Sequence, residues 1–407
     1  MMKQRFKNSF LIVYVFCFGF LSCVTPFEIA PEENIDSRLV VEGLLTDELK
    51  FQEIKLTRTY LLEKWTPVTI EKNATVRVVE DGTVFYDYVE NEPGKYVSKI
   101  KFKANTNKTY KLEILLSTGK KYASKTQMLP NELTSDFDVV AKKEIDKEGR
   151  EGVMLSYVNT NGGQSDASSY YRFDYSNTYK IVSPNWSDEE LIVNSTILPT
   201  MSFKNHENGK ICYGNDVSTK YILRNANEFQ GNAVESFNLN FLLKDNHKIF
   251  YRYSIKVNQY VISREAHTYY NTLKDFSESE NVFSENQPGN IIGNIVSLDD
   301  NSENVIGFFD VTKILSKRIF FNYTDFFLKS GQLAEDFFFV PCVKSFPTLR
   351  SQGLKQPLSL NDMLIKQVVV FLAENNDNPG GPFQVVTKKC GDCSSLGDII
   401  KPDFWKE

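Results

Sequence analysis

Ala74-Thr75-Val76-Arg77-Val78-Val79-Glu80-Asp81-Gly82-Thr83-Val84-Phe85-Tyr86 decides the fold class of this chain. Two runs of β-branched and aromatic residues flank an Asp-Gly pair. Asp and Gly tolerate the positive φ that a two-residue turn demands, so the stretch predicts an antiparallel hairpin. Working outward, Arg38 to Leu45 and Gln52 to Arg58 read as strands, the second with strict period-two alternation. Lys95-Tyr96-Val97, Thr109 to Ile114 and Lys121 to Ser124 follow, the last after a Ser-Thr-Gly-Lys turn. Roughly seven short strands at this spacing predict an immunoglobulin-like β-sandwich over residues 37–130, closed by Pro130.

Residues 131–407 continue in the same vein as a larger β-rich domain. Val153 to Val158, Tyr170 to Tyr175, Ser236 to Leu243, Val305 to Asp310, Lys317 to Asn322 and Gln367 to Ala373 are strand candidates. Tyr251 to Val261 is the longest alternating run. Ser263 then offers an N-cap, and Arg264 to Phe276 is the one predicted helix. The fold class is therefore mainly β. The 31 Phe and 20 Tyr fit that reading, since such side chains pack well on a pleated surface.

The N-terminus carries an address. Lys3, Arg5 and Lys7 precede an apolar run from Phe10 to Leu21, too short to span a bilayer and right for a signal peptide. Ser22 and Cys23 close it. Residues 1–22 are expected to be a lipoprotein signal peptide, with Cys23 the lipid attachment site. Phe20 stands where a bacterial lipobox prefers Leu. Residues 23–36, with two prolines and four acids, form a tether.

The formal charge is −5, and loss of the three signal cations makes the remainder more acidic. No basic tract is present to neutralise phosphates, which argues against nucleic-acid binding. Beyond Cys17 and Cys23, four cysteines remain: Cys212, Cys342, Cys390 and Cys393. Export implies disulfides, and four cysteines allow three pairings. The favoured set is Cys390–Cys393 with Cys212–Cys342.

Leu39 to Asp47, Ala74-Thr75-Val76 before the Asp-Gly turn, and Gly94-Lys95-Tyr96 after it resemble the N-terminal part of domain-of-unknown-function family 4249, lipoproteins of Bacteroidota. Tyr251 to Gln259, Phe283, Gln287-Pro288, Gly293-Asn294-Ile295, Val305 and Gly307-Phe308-Phe309 are similar to its central signature. Cys390-x-x-Cys393 followed by Lys401-Pro402-Asp403-Phe404-Trp405 resembles its terminus. Ser284-Glu285, and Tyr213 after Cys212, depart from the family pattern. The resemblance implies a lipid-anchored outer-membrane protein at the cell surface. It implies an accessory or ligand-handling role beside a TonB-dependent transporter in nutrient uptake, without catalysis.

Other chemistry is thinly represented. Cys390-Gly391-Asp392-Cys393 lacks the βαβ context of a redox dithiol. His206, His247 and His267 lack HExxH spacing, and GxSxG and GxxxxGK[ST] are absent. Asp299-Asp300 with Asn301 and Glu303 offers oxygens for calcium, but a solvated acidic turn is the stronger reading. No metal or cofactor is expected. For ligand contact the candidates are Trp65 and Trp186, with Tyr170-Tyr171 and Tyr269-Tyr270 as aromatic pairs. Two other functions compete with the accessory role. One is a structural or adhesive surface protein acting through protein–protein contacts; the other is a hydrolase with an unrecognised site, either convergent carboxylates or a Ser/His pair.

Overall fold

The computed structural model describes residues 37–59, 69–131, 136–160, 170–195, 200–226, 235–278, 291, 293–300, 302–328, 340–349, 358–376 and 380–407. Cys23, the signal and the tether lie outside these residues, as does Trp65. Arg38–Glu407 forms one compact unit. Its strands run β1 (Leu39–Thr46), β2 (Glu53–Arg58), β3 (Thr69–Ile70), β4 (Thr75–Glu80), β5 (Val84–Glu92), β6 (Lys95–Ser98), β7 (Thr109–Leu115), β8 (Lys121–Ser124) and β9 (Gln127–Met128). There follow β10 (Phe137–Ile145), β11 (Glu151–Asn159), β12 (Tyr170–Val182), β13 (Glu189–Val193), β14 (Met201–Asn205), β15 (Ile211–Val217), β16 (Ile222–Asn225) and β17 (Phe237–Leu243). The rest are β18 (Arg252–Ile262), β19 (Ile295–Ser297), β20 (Ile306–Asn322), β21 (Lys344–Ser345), β22 (Val369–Glu374) and β23 (Phe383–Thr387). Among the described residues, helix α1 (Arg264–Glu278) is the long one; α2 (Leu360–Ile365) and α3 (Lys388–Gly391) are short. The protein is mainly β, as the alternation predicts.

The Asp81-Gly82 hairpin forms with φ of 50° and 73°, the left-handed pair that a tight turn between twisted strands requires. The Asp81 carboxylate accepts from Lys108 Nζ at 2.6 Å and from the Thr109 amide at 2.9 Å. Those bonds, the lysine first, hold its pKa down at about 2. The hairpin is thereby tied to β7, its neighbour on the other side of β4. β5 turns a corner: Val84–Asp87 pair with β4, and Tyr88–Glu92 pair with β6. The sheet folds back there around a core of Val41, Leu56, Val78, Tyr96, Tyr110 and Leu112.

This N-terminal part of the sheet is shared with later chain. β1 pairs in parallel with β20, and β19 pairs with β8. The long strand β20 joins what the sequence shows as two separate runs, its pairing with β1 ending at Thr312 and its pairing with β18 beginning at Lys313. Its first half packs Phe309 and Val311 into the N-terminal core. Its second half pairs with β18, which pairs with β12, which pairs with β15. A second layer, β10-β11-β17, lies over this part and encloses Phe137, Leu155, Tyr157, Phe173, Val257 and Phe321.

Asn294 shows why a Gly-Asn-Ile stretch stands before β19. Its side chain is buried, accepts from the Phe309 amide and donates to the Phe309 carbonyl, both at 2.8 Å. One amide thus satisfies both backbone groups of Phe309, as a neighbouring strand would. Gly293 passes so near β20 that a Cβ there would lie 1.6 Å from the Gly307 carbonyl oxygen.

The cysteine pairing differs from the expected set. The bonds are Cys212–Cys393 and Cys342–Cys390. Cys390 closes α3 and Cys393 opens the following 3-10 turn, with Asp392 extended between them. That geometry sends the two thiols to different partners, one on β15 and one beside β21. The terminal segment is thus stapled to two elements instead of closing on itself.

Candidate functional site: a cavity between the large sheet and the long helix

Strand register brings a row of polar residues onto one face of the large sheet. Arg172 lies opposite Tyr260, and Tyr260 opposite Ile314. Phe308 and Asp310 share that face by period two and lie opposite Glu42 and Leu44 of β1. Glu42 and Leu44 in turn lie opposite Lys55 and Glu53 of β2. Helix α1 covers part of this face. Ser263 caps it, its Oγ accepting from the Ala266 amide at 3.1 Å. The helix packs Ala266, Tyr269 and Tyr270 onto Phe308, Tyr260 and Leu223.

Where the helix leaves the sheet uncovered, a cavity of about 760 Å³ remains. Its floor is β1 and β2 with Arg172 and Asp174 of β12. Its walls are Tyr269, Tyr270 and Leu273 of α1 and the Ser218–Tyr221 segment, with Lys50 and Phe51 at another edge. The volume lies in the range of small-molecule sites, and apolar walls with a few charged groups are the usual lining of such sites.

Arg172 is the most unusual residue here. Its guanidinium sits 4.6 Å from the Tyr260 ring centre and 4.8 Å from that of Tyr270. The side chain is half-buried, and its Nε has no acceptor. Burial works against its charge, but Tyr270, Tyr260, Asp174 and Asp310 outweigh that and hold its pKa above the ordinary value. Asp310 is 1% exposed and neither carboxyl oxygen has a donor. Burial pushes its pKa up to about 7, against the opposing pull of Arg172. Asp174 is engaged elsewhere: its Oδ1 accepts from Asn258 Nδ2 at 2.7 Å. An aromatic ring, a cation and the Asp174 carboxylate therefore meet at one end of the cavity, with Asp310 buried outside its lining.

Of the residues singled out in the sequence, Tyr269 and Tyr270 line this cavity, each 7% exposed. Tyr171 is core, and Tyr170 packs on His267 of α1 at 4.9 Å. Trp186 lies elsewhere. Rather than standing exposed in its acidic turn, it is half-buried, stacked on His206 at 5.7 Å, with Lys210 Nζ 4.7 Å from the ring centre. Its Nε1 donates to the Asn208 carbonyl. His206 lines a second, smaller cavity of about 370 Å³ bounded by β13, β22 and α2. His247 stands apart beside Tyr179, its pKa lowered by burial.

Asp299, Asp300 and Glu303 of the acidic run are engaged by protein donors, and Asn301 lies outside the described residues. Asp299 accepts from the Lys121 amide, Asp300 from Ser302, and Glu303 from Tyr122 and Lys120. Among the described residues no group of three or more His, Cys, Asp or Glu is placed to hold a metal ion. Nor is any described helix long and apolar enough to cross a membrane.

Arg172 and Asp310 escaped the sequence reading. The available signal was a charged residue inside an apolar run: Tyr171-Arg172-Phe173 and Phe308-Phe309-Asp310-Val311. In a half-exposed strand such a residue faces water; only the register shows that these two face inward.

Comparison with known proteins gives the chain its family. No curated protein matches it. Among solved structures, a biofilm associated protein B domain aligns over 68% of this chain and 85% of its own length, at 10% identity. The TM-score of 0.12 carries no argument about fold or role. The family model described as a domain of unknown function, DUF4249, matches residues 24–318. With most of its length covered by that match, the chain belongs to the DUF4249 family.

Proposed function

We propose that this protein captures a small ligand without transforming it, while tethered to the outer membrane through Cys23, and serves a TonB-dependent transporter in nutrient uptake. The observation that carries this reading is the cavity between α1 and the large sheet, with its aromatic wall and the clamped Arg172 at one end. Support comes from the two disulfides, which suit an oxidising compartment, and from the signal-like run ending at Ser22-Cys23. Capture by a surface protein requires a rigid receptor, and the disulfides join the C-terminal segment to β15 and to the chain beside β21.

The test is affinity isolation of the native protein from detergent-solubilised outer membranes. A β-barrel transporter is expected to co-purify in near-stoichiometric amount. Isolation of the protein alone, with the barrel fraction intact, overturns the accessory role.

A further inference from the structure

We propose that the cavity takes a carboxylate-bearing small molecule and that Arg172 anchors its carboxylate; this rests on the ligand-capture reading above. Arg172 lies between the rings of Tyr260 and Tyr270, so its planar fork is held in place before any ligand arrives. A guanidinium held this way loses little side-chain entropy on binding, and its geometry matches two carboxylate oxygens. It lines the cavity, and among the described residues no carboxylate lies within ion-pair distance of it. A cation in a partly dry site without a bonded anion is costly.

The neighbouring acids leave that need open. Asp174 gives its Oδ1 to Asn258, and the oxygens of Asp310 accept no hydrogen bond. Burial favours the uncharged form of Asp310, which leaves the charge of Arg172 less compensated still. Carboxylate is favoured over phosphate because the lining carries four cations, Arg172, Lys50, Lys55 and Lys220, against three acids, Glu42, Glu53 and Asp174, a balance suited to one negative charge. Phe308, Tyr269 and Leu273 offer apolar surface for the rest of the ligand.

The experiment compares matched pairs by isothermal titration of the purified protein: benzoate against benzamide, and galacturonate against galactose, with inorganic phosphate as a further probe. In at least one pair the acid is expected to bind tenfold or more tightly than its neutral partner. Arg172→Gln is expected to abolish that preference. Thr219→Trp, at an exposed position on the cavity wall, is expected to block binding while sparing the core. If Arg172→Gln fails to fold, the wild-type preference together with its loss in Thr219→Trp supports the proposal. Equal binding of acid and neutral partners, stronger binding of phosphate, or no binding by any probe overturns it. None of these results touches co-purification with the transporter, so the two readings fail separately.

Discussion

Replacing Asp310 by Asn should stabilise the protein, and increasingly so as pH rises. Asp310 is 1% exposed, its oxygens have no donor, and burial raises its pKa from 3.8 to about 7. A carboxyl whose folded pKa lies above its unfolded value binds its proton more tightly in the folded state. Its contribution is therefore most favourable below about pH 4 and is lost as pH rises toward 7. At about 1.4 kcal/mol per pH unit, the interval amounts to about 4 kcal/mol. Asn keeps the shape and removes the titration. Urea midpoints of wild type and Asp310→Asn, measured at pH 4.5, 6 and 8, give the difference directly, with other titrating groups cancelling. The variant should be ahead by about 1 kcal/mol at pH 4.5 and by up to about 4 kcal/mol at pH 8. A variant that falls behind at pH 8 would refute the reasoning, since it would mean that the ionised carboxylate is stabilised by Arg172. Parallel curves would refute it equally.

Three other outcomes follow from the geometry. Peptide mapping under non-reducing conditions should find Cys212 linked to Cys393 and Cys342 linked to Cys390; serine pairs at each bridge should lower stability, by about 4 kcal/mol for the 48-residue loop and about 5 kcal/mol for the 181-residue loop on chain-entropy grounds. Gly293→Ala drives a Cβ into the Gly307 carbonyl and should cost about 3 kcal/mol in a denaturant titration, whereas Gly119→Ala, with nothing near its Cβ, carries only the cost of its positive φ. Cys23→Ala should move the protein from the membrane to the soluble fraction on cell fractionation, and continued retention would contradict a lipid anchor at that residue.

Local pattern was legible where local forces decide the structure. Tyr251 to Val261 alternates, and β18 spans Arg252–Ile262; Ser263 caps a helix that the sequence places at Arg264 to Phe276 and the structure extends to Glu278. The Asp81-Gly82 turn needs only its own two residues. What the sequence concealed depends on chain segments far apart. The partner of Cys390 is set by where β21 lies against β23, and the inward direction of Asp310 by its parallel pairing with Leu44. A strand's alternation defines two faces without saying which is inside when both are partly covered. In β20 one face meets the N-terminal core and the other meets α1, so Phe308, Phe309, Asp310 and Val311 are all buried.

The pairing of β1 with β20 has a consequence in time. Val40 to Thr46 wait for Ile306 to Thr312 as their parallel neighbours, so more than 250 residues intervene between partners. Such distant contacts form late, because loop closure must be met before pairing gives any return. A chain that emerges N-terminus first thus exposes one edge of β1 until most of it has followed. An unpaired edge invites another chain to add a strand. During synthesis this protein should depend on a holding chaperone for longer than its strand-by-strand local order would imply. Truncation anywhere before Ile306 should leave an aggregation-prone fragment rather than a smaller folded domain.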